Sequence, residues 1–140
     1  MNTGKVVWHK ETAGTRLPHL IAINEGSPYT SQDPVMHDLF LTSAVVDGIK
    51  IWDLRTKKVI VSYKEHKCRY LPCGATFSAC GKYVLSGSED KSIYTYDLRQ
   101  LSYLYKVQNQ NSNTVTGIRF ISKNTQFLTT CLDGNVSLYG

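Results

Sequence analysis

The sequence predicts an all-β chain of three four-stranded antiparallel blades, a segment of a β-propeller. Three observations carry that prediction. Hairpin-like stretches recur at 41–54, 85–98 and 128–139, each a run of β-favouring side chains broken by a short polar turn. The turn aspartates Asp47, Asp90 and Asp133 are spaced 43 and 43 residues apart. The aromatics Trp52, Tyr96 and Tyr139 follow at spacings of 44 and 43. A repeat of this length made of short strands marks a propeller blade.

In chain order, residues 4–9 read as a lone strand with nothing before it to pair with, like the later segments 58–63 and 101–107. Residues 1–16 are therefore expected to be the fourth strand of a closing blade and its loop. The first blade covers 17–63 and opens with the strand 19–23. Ile23 to Leu41 takes eighteen steps where Phe77 to Leu85 takes eight, so an insertion is expected at 24–38. Pro28, Pro34, Gly26 and many polar neighbours suit a surface loop. The second blade covers 64–107. The third covers 108–140, starts at the Asn-rich run 108–113 and lacks a fourth strand.

Trp52-Asp53, inside Ile49-Lys50-Ile51-Trp52-Asp53-Leu54-Arg55, resembles the Trp-Asp dipeptide of the WD-repeat family, and Tyr96-Asp97-Leu98-Arg99 takes the same place one repeat later. Residues 77–88 are similar to the strand-turn-strand opening of that family, with Cys80-Gly81-Lys82 as the turn. The resemblance implies a ring closed with an offset, the N-terminal strand completing the last blade. It also implies an internal hydrogen-bond chain of loop histidine, strand Ser/Thr, turn aspartate and aromatic. In the second repeat these are His66, Ser86, Ser88, Asp90 and Tyr96; Asp47 with Trp52, and Asp133 with Tyr139, are the counterparts in the other two. The chain departs from the pattern in using Tyr twice for Trp, in having only Asn and Gln at the third histidine, and in placing Asp47 five rather than six residues before Trp52. The full network is expected in the second repeat alone.

Three blades in an open arc leave two sheet faces bare. If each bare face holds on the order of 400 Å² of apolar surface, leaving it wet forgoes roughly 10 kcal/mol at about 25 cal/mol/Å². A whole domain is stable by only about 5–15 kcal/mol. The expectation is self-association, two copies closing head to tail as 3+3, or pairing with further blades of a longer chain.

The chain has 140 residues with 41% hydrophobic and 19% charged content, globular values. Its net charge of +5 permits acidic partners, but Lys and Arg are spread along it, so nucleic acid is not indicated by charge alone. It offers no signal-peptide core and no apolar run long enough to span a bilayer, so the expected location is cytoplasm or nucleus, with Cys68, Cys73, Cys80 and Cys131 reduced.

No catalytic residue is expected. His66, Ser86 or Ser88, and Asp90 have the parts of a nucleophilic triad, but no Gly-x-Ser-x-Gly elbow presents the serine. No metal is expected at His66, Cys68, Cys73 and Cys80, whose spacing lacks paired close cysteines. No cofactor is expected, since no phosphate-binding glycine motif occurs. The resemblance implies a non-catalytic scaffold for protein or peptide partners. The expected surface is the loop the resemblance puts at the channel mouth, Lys64, His66, Lys67, Arg69 and Tyr70, with Asn109 and Asn111 beside it. The alternative is RNA or an anionic phospholipid on the same basic and aromatic loops.

Overall fold

The structure, a computed structural model, describes residues 4, 5, 8, 9, 18–25, 34–108, 111–121 and 125–140. Among the described residues, eleven strands make three antiparallel sheets. The first orders β1 (Pro18–Ile23), β2 (Leu39–Ala44), β3 (Gly48–Asp53) and β4 (Lys58–Tyr63) from inside to outside. The second repeats this with β5 (Ala75–Phe77), β6 (Tyr83–Gly87), β7 (Ile93–Asp97) and β8 (Tyr103–Val107). The third has β9 (Val115–Phe120), β10 (Phe127–Cys131) and β11 (Val136–Tyr139), with no fourth strand among the described residues. The sheets form an arc that does not close.

Local chemistry sets the hairpins. Each β2–β3-type turn needs a left-handed residue, supplied by Val46 and Gly48 (φ 74° and 77°), Lys91 (φ 65°) and Gly134 (φ 89°). After the third strand of the first two blades, Asp53 and Asp97 accept from the amide and guanidinium of Arg55 and Arg99, which seals the corner into the outer strand. Both carboxyls are held below their usual range by those arginines.

Alternation along the strands gives each blade two apolar faces, and neighbours share them. Leu41, Ile49 and Ile51 of the first blade pack on Ala75, Phe77, Val84 and Tyr96 of the second. Leu85 and Ile93 on the far side of the second pack on Val115, Ile118 and Cys131 of the third. The joints are close because small residues line them: a Cβ on Gly74 would lie 2.8 Å from the Gly117 Cα, and one on Gly87 would strike the Val115 carbonyl. Across the first joint Tyr63 stacks on Tyr96 with centroids 4.3 Å apart, and its hydroxyl donates to the Asp97 carbonyl at 2.9 Å. At the arc's inner side the ends of β1, β5 and β9 surround an open groove of about 620 Å³ lined by Ile21, Ile23, Phe77, Arg119 and Phe120.

One detail differs from the sequence reading. The insertion at 24–38 ends in a 3-10 helix, Pro34–Asp38, rather than plain loop; a proline at the first position presets its backbone angle. Residues 26–33 lie outside the described residues. In the expected N-terminal strand, Gly4, Lys5, Trp8 and His9 belong to no sheet, and Val6 and Val7 lie outside the described residues. Trp8 instead meets the ring of Trp52 edge-on, centroids 6.2 Å apart.

Candidate functional site

The loop between β4 and β5 is pinned to the β6–β7 turn along its length. The His66 amide donates to the Tyr96 hydroxyl at 3.0 Å and the Lys67 amide to Ser88 Oγ at 2.9 Å. The Glu89 amide donates to the Lys67 carbonyl at 2.8 Å. Then one carboxylate oxygen, Glu89 Oε1, accepts three consecutive amides, from Arg69, Tyr70 and Leu71, at 2.8, 2.6 and 2.8 Å. Burial pushes the Glu89 carboxyl up, but these amides outweigh it and hold it below the usual carboxylate range. On the other side, the Val46 amide donates to the Cys68 carbonyl at 2.7 Å.

This clamp leaves Lys64, Lys67, Arg69 and Tyr70 exposed, Tyr70 at 85%. Among the described residues the three cations make no ion pair, whereas the neighbouring carboxylates are engaged internally. The result is an aromatic and three exposed cations on a fixed backbone, a surface suited to binding.

Two residues expected on this surface lie beneath it. His66 is buried, its Nδ1 3.0 Å from the Tyr96 hydroxyl. Asn111 is buried as well: its Oδ1 accepts the Tyr139 hydroxyl at 2.6 Å and its Nδ2 donates to the Lys91 carbonyl at 3.1 Å. Asn111 thus stands to Tyr139 in the third blade as His66 stands to Tyr96 in the second. Asn109 lies outside the described residues.

The internal network is rearranged from the expected chain. The Tyr96 hydroxyl accepts the His66 amide and shares one proton with Nδ1, while His66 Nε2 is buried with no partner among the described residues. Burial pushes the His66 pKa down to about 4 against the pull of Asp90. Asp90 is occupied elsewhere, accepting Lys106 Nζ at 2.7 Å and the Tyr94 hydroxyl at 2.9 Å. Burial raises the Asp90 carboxyl, yet Lys106, Ser88 and Tyr94 together bring it down to about 2. Ser86 Oγ turns to its neighbour's carbonyl, that of Gly87, at 2.9 Å. In the first blade Trp52 Nε1 donates to Thr42 Oγ1 at 2.9 Å, and Asp47 takes no part. In the third, Asp133 binds Asn135, which reaches Ser112 Oγ at 2.8 Å. Lys106, Tyr94, Thr42 and Glu89 were not singled out from sequence; Lys106 and Tyr94 meet only through the β7–β8 register, in which they are directly opposed. Of the four residues of the zinc reading only Cys68 and Cys73 stay together, both on the Leu71 carbonyl, while His66 turns to Tyr96 and Cys80 to Ser78 Oγ at 3.2 Å.

The profile of the family described as WD domain, G-beta repeat matches residues 57–97 and 102–140, more than half of the chain. The chain belongs to the WD-repeat family. Each match begins at an outer strand, β4 or β8, and runs through the three inner strands of the next blade. The chain is also 25% identical over 100 residues to the WD repeat domain-containing protein 83 homolog of Dictyostelium discoideum. That match takes 71% of this chain and spans 30% of the relative's length.

Proposed function

We propose that this WD-repeat chain is a non-catalytic scaffold that holds a protein or peptide partner on the loop 64–71. The observation that carries the reading is the triple acceptance at Glu89, which fixes the backbone under Arg69 and Tyr70 while their side chains stay in solvent. Pre-organised Tyr and Arg contribute heavily to interfaces because little freedom is lost on binding. The same blades associate with further blades, a second copy being the simplest source. The joint occurs twice inside the chain, and apolar residues that match its two halves stand exposed at its ends, Ile21 and Ile23 on the first blade and Leu128, Val136 and Leu138 on the third.

An array of short peptides probed with labelled chain tests the partner surface. Retention on a subset of peptides, lost in Arg69→Ala/Tyr70→Ala while the melt moves by less than about 0.5 kcal/mol, is expected. Retention unchanged in the double variant overturns the reading. Capture of RNA on nitrocellulose or of anionic vesicles, falling steeply with salt, assigns the loop to the alternative occupant.

A further inference from the structure

The two cysteines that bracket this loop have no part in the scaffold reading. Cys68 and Cys73 are both free and buried. Their sulfurs converge on one acceptor, the Leu71 carbonyl, at 3.2 Å from Cys68 Sγ and 3.6 Å from Cys73 Sγ. Cys73 Sγ also lies 3.7 Å from the Lys67 carbonyl. Between them Arg69, Tyr70 and Pro72 face solvent, so the pair sits under a turn at the surface. Cys80 and Cys131 have different settings, one beside Ser78 Oγ and the other inside the joint between the second and third blades.

We propose that Cys68 and Cys73 are a modification site that closes to an intraloop disulfide by exchange with a low-molecular-weight disulfide. The asymmetry of the pair assigns the roles. The neighbouring Cys73 thiol brings Cys68 down to about 7, whereas the closeness of Cys68, with burial, pushes Cys73 up. Cys68, the more acidic of the two, gives up the proton it shares with the Leu71 carbonyl and is the attacking thiolate. It bonds to one sulfur of the reagent, whose second half leaves as a thiolate and takes up a proton. Cys73 then loses its proton, attacks the Cys68 sulfur and expels the remaining half. Two cysteines give up two electrons and two protons, and the reagent disulfide is reduced to two thiols. Closing the ring locks the Arg69-Tyr70 tip from below as Glu89 does from the side. That consequence rests on the proposed partner surface, but formation of the bond does not.

The folded chain, equilibrated with glutathione disulfide and glutathione, acid-quenched, alkylated and digested with trypsin, gives the test. Trypsin cuts after Lys67 and Arg69, so the bond joins the dipeptide Cys68-Arg69 to the peptide 70–82. The expected product is that linked pair, with fragmentation placing the bond on Cys73 and not Cys80. Cys73→Ser is expected to carry glutathione on Cys68 instead. Free Cys68 and Cys73 at ratios that modify Cys80, a Cys68–Cys80 link, or linkage found only in urea overturns the proposal. The wild-type map decides this even if a variant fails to fold, and it stands apart from the peptide array.

Discussion

The second and third blades are built from one repeat, yet the same positions are dry in one and wet in the other. Ile93 is 0% exposed and its counterpart Val136 67%; Leu85 is 3% exposed and its counterpart Leu128 39%. In the first blade the matching Ile49 and Leu41 are both 0% exposed. The first blade shows the complementary gap: Ile21 and Ile23 are 68% and 60% exposed, where Ala75 and Phe77 of the second blade are buried. Strand sequence puts an apolar side chain on a face; only a neighbouring blade makes that face a core. The third blade therefore has the composition of an interior and the exposure of an interface.

Substitution at matched positions breaks this comparison most forcefully. Ile93→Ala should cost about 2–5 kcal/mol in urea unfolding, the range for deleting a packed aliphatic side chain. Val136→Ala should leave the fold of the single chain within about 0.5 kcal/mol and weaken self-association instead. Equal losses at both would mean that the third blade's outer face is already covered.

Acid sharpens the contrast next. With a folded pKa of about 4 against an ordinary 6.5, His66 favours the neutral form in the native state. Its contribution is therefore complete above the ordinary value and is lost as pH falls through that window, up to about 3 kcal/mol. The Asp90 window lies lower, from the ordinary 3.8 to about 2, so the histidine effect is separable. The third blade uses Asn111 in the equivalent place and has no such titration. Thermal melts across this range should show the loss in the native chain and a flattened profile in His66→Gln; parallel profiles would remove His66 as its source.

A smaller effect is expected at the hydroxyls. Tyr96→Phe strips both the His66 amide and Nδ1 of their partner, at about 1–3 kcal/mol. Tyr139→Phe frees only Asn111 Oδ1 at the half-exposed end and should cost about 1 kcal/mol or less. Chemical denaturation of the pair measures the difference, and a larger loss at Tyr139 would reverse the assignment.

Much of the architecture was legible because the period, the turn residues and the alternation all report one unit. Asp53-Leu54-Arg55 and Asp97-Leu98-Arg99 announce the same corner twice, and both build it. The site was harder to read. Asn111 sits in a polar run that looks solvated, and nothing local shows that Tyr139 will reach it from a strand 28 residues on. Glu89 reads as a turn residue, yet its carboxylate organises a loop 18 to 20 residues earlier. Asp90 was expected to answer His66, but the register sets Lys106 opposite Tyr94, and a charged amine competes better for the carboxylate than a neutral imidazole does. Sequence carries what repeats along the chain; contacts between blades and across a register depend on geometry that no single stretch encodes.

Light scattering on the purified chain at micromolar concentration tests most directly whether the bare faces are halves of a joint. The account predicts a mass twice the 15.8 kDa of one chain, returning to one chain in Leu138→Asp, which sets a charge on the uncovered face. A monodisperse single-chain mass for the unaltered protein would contradict it.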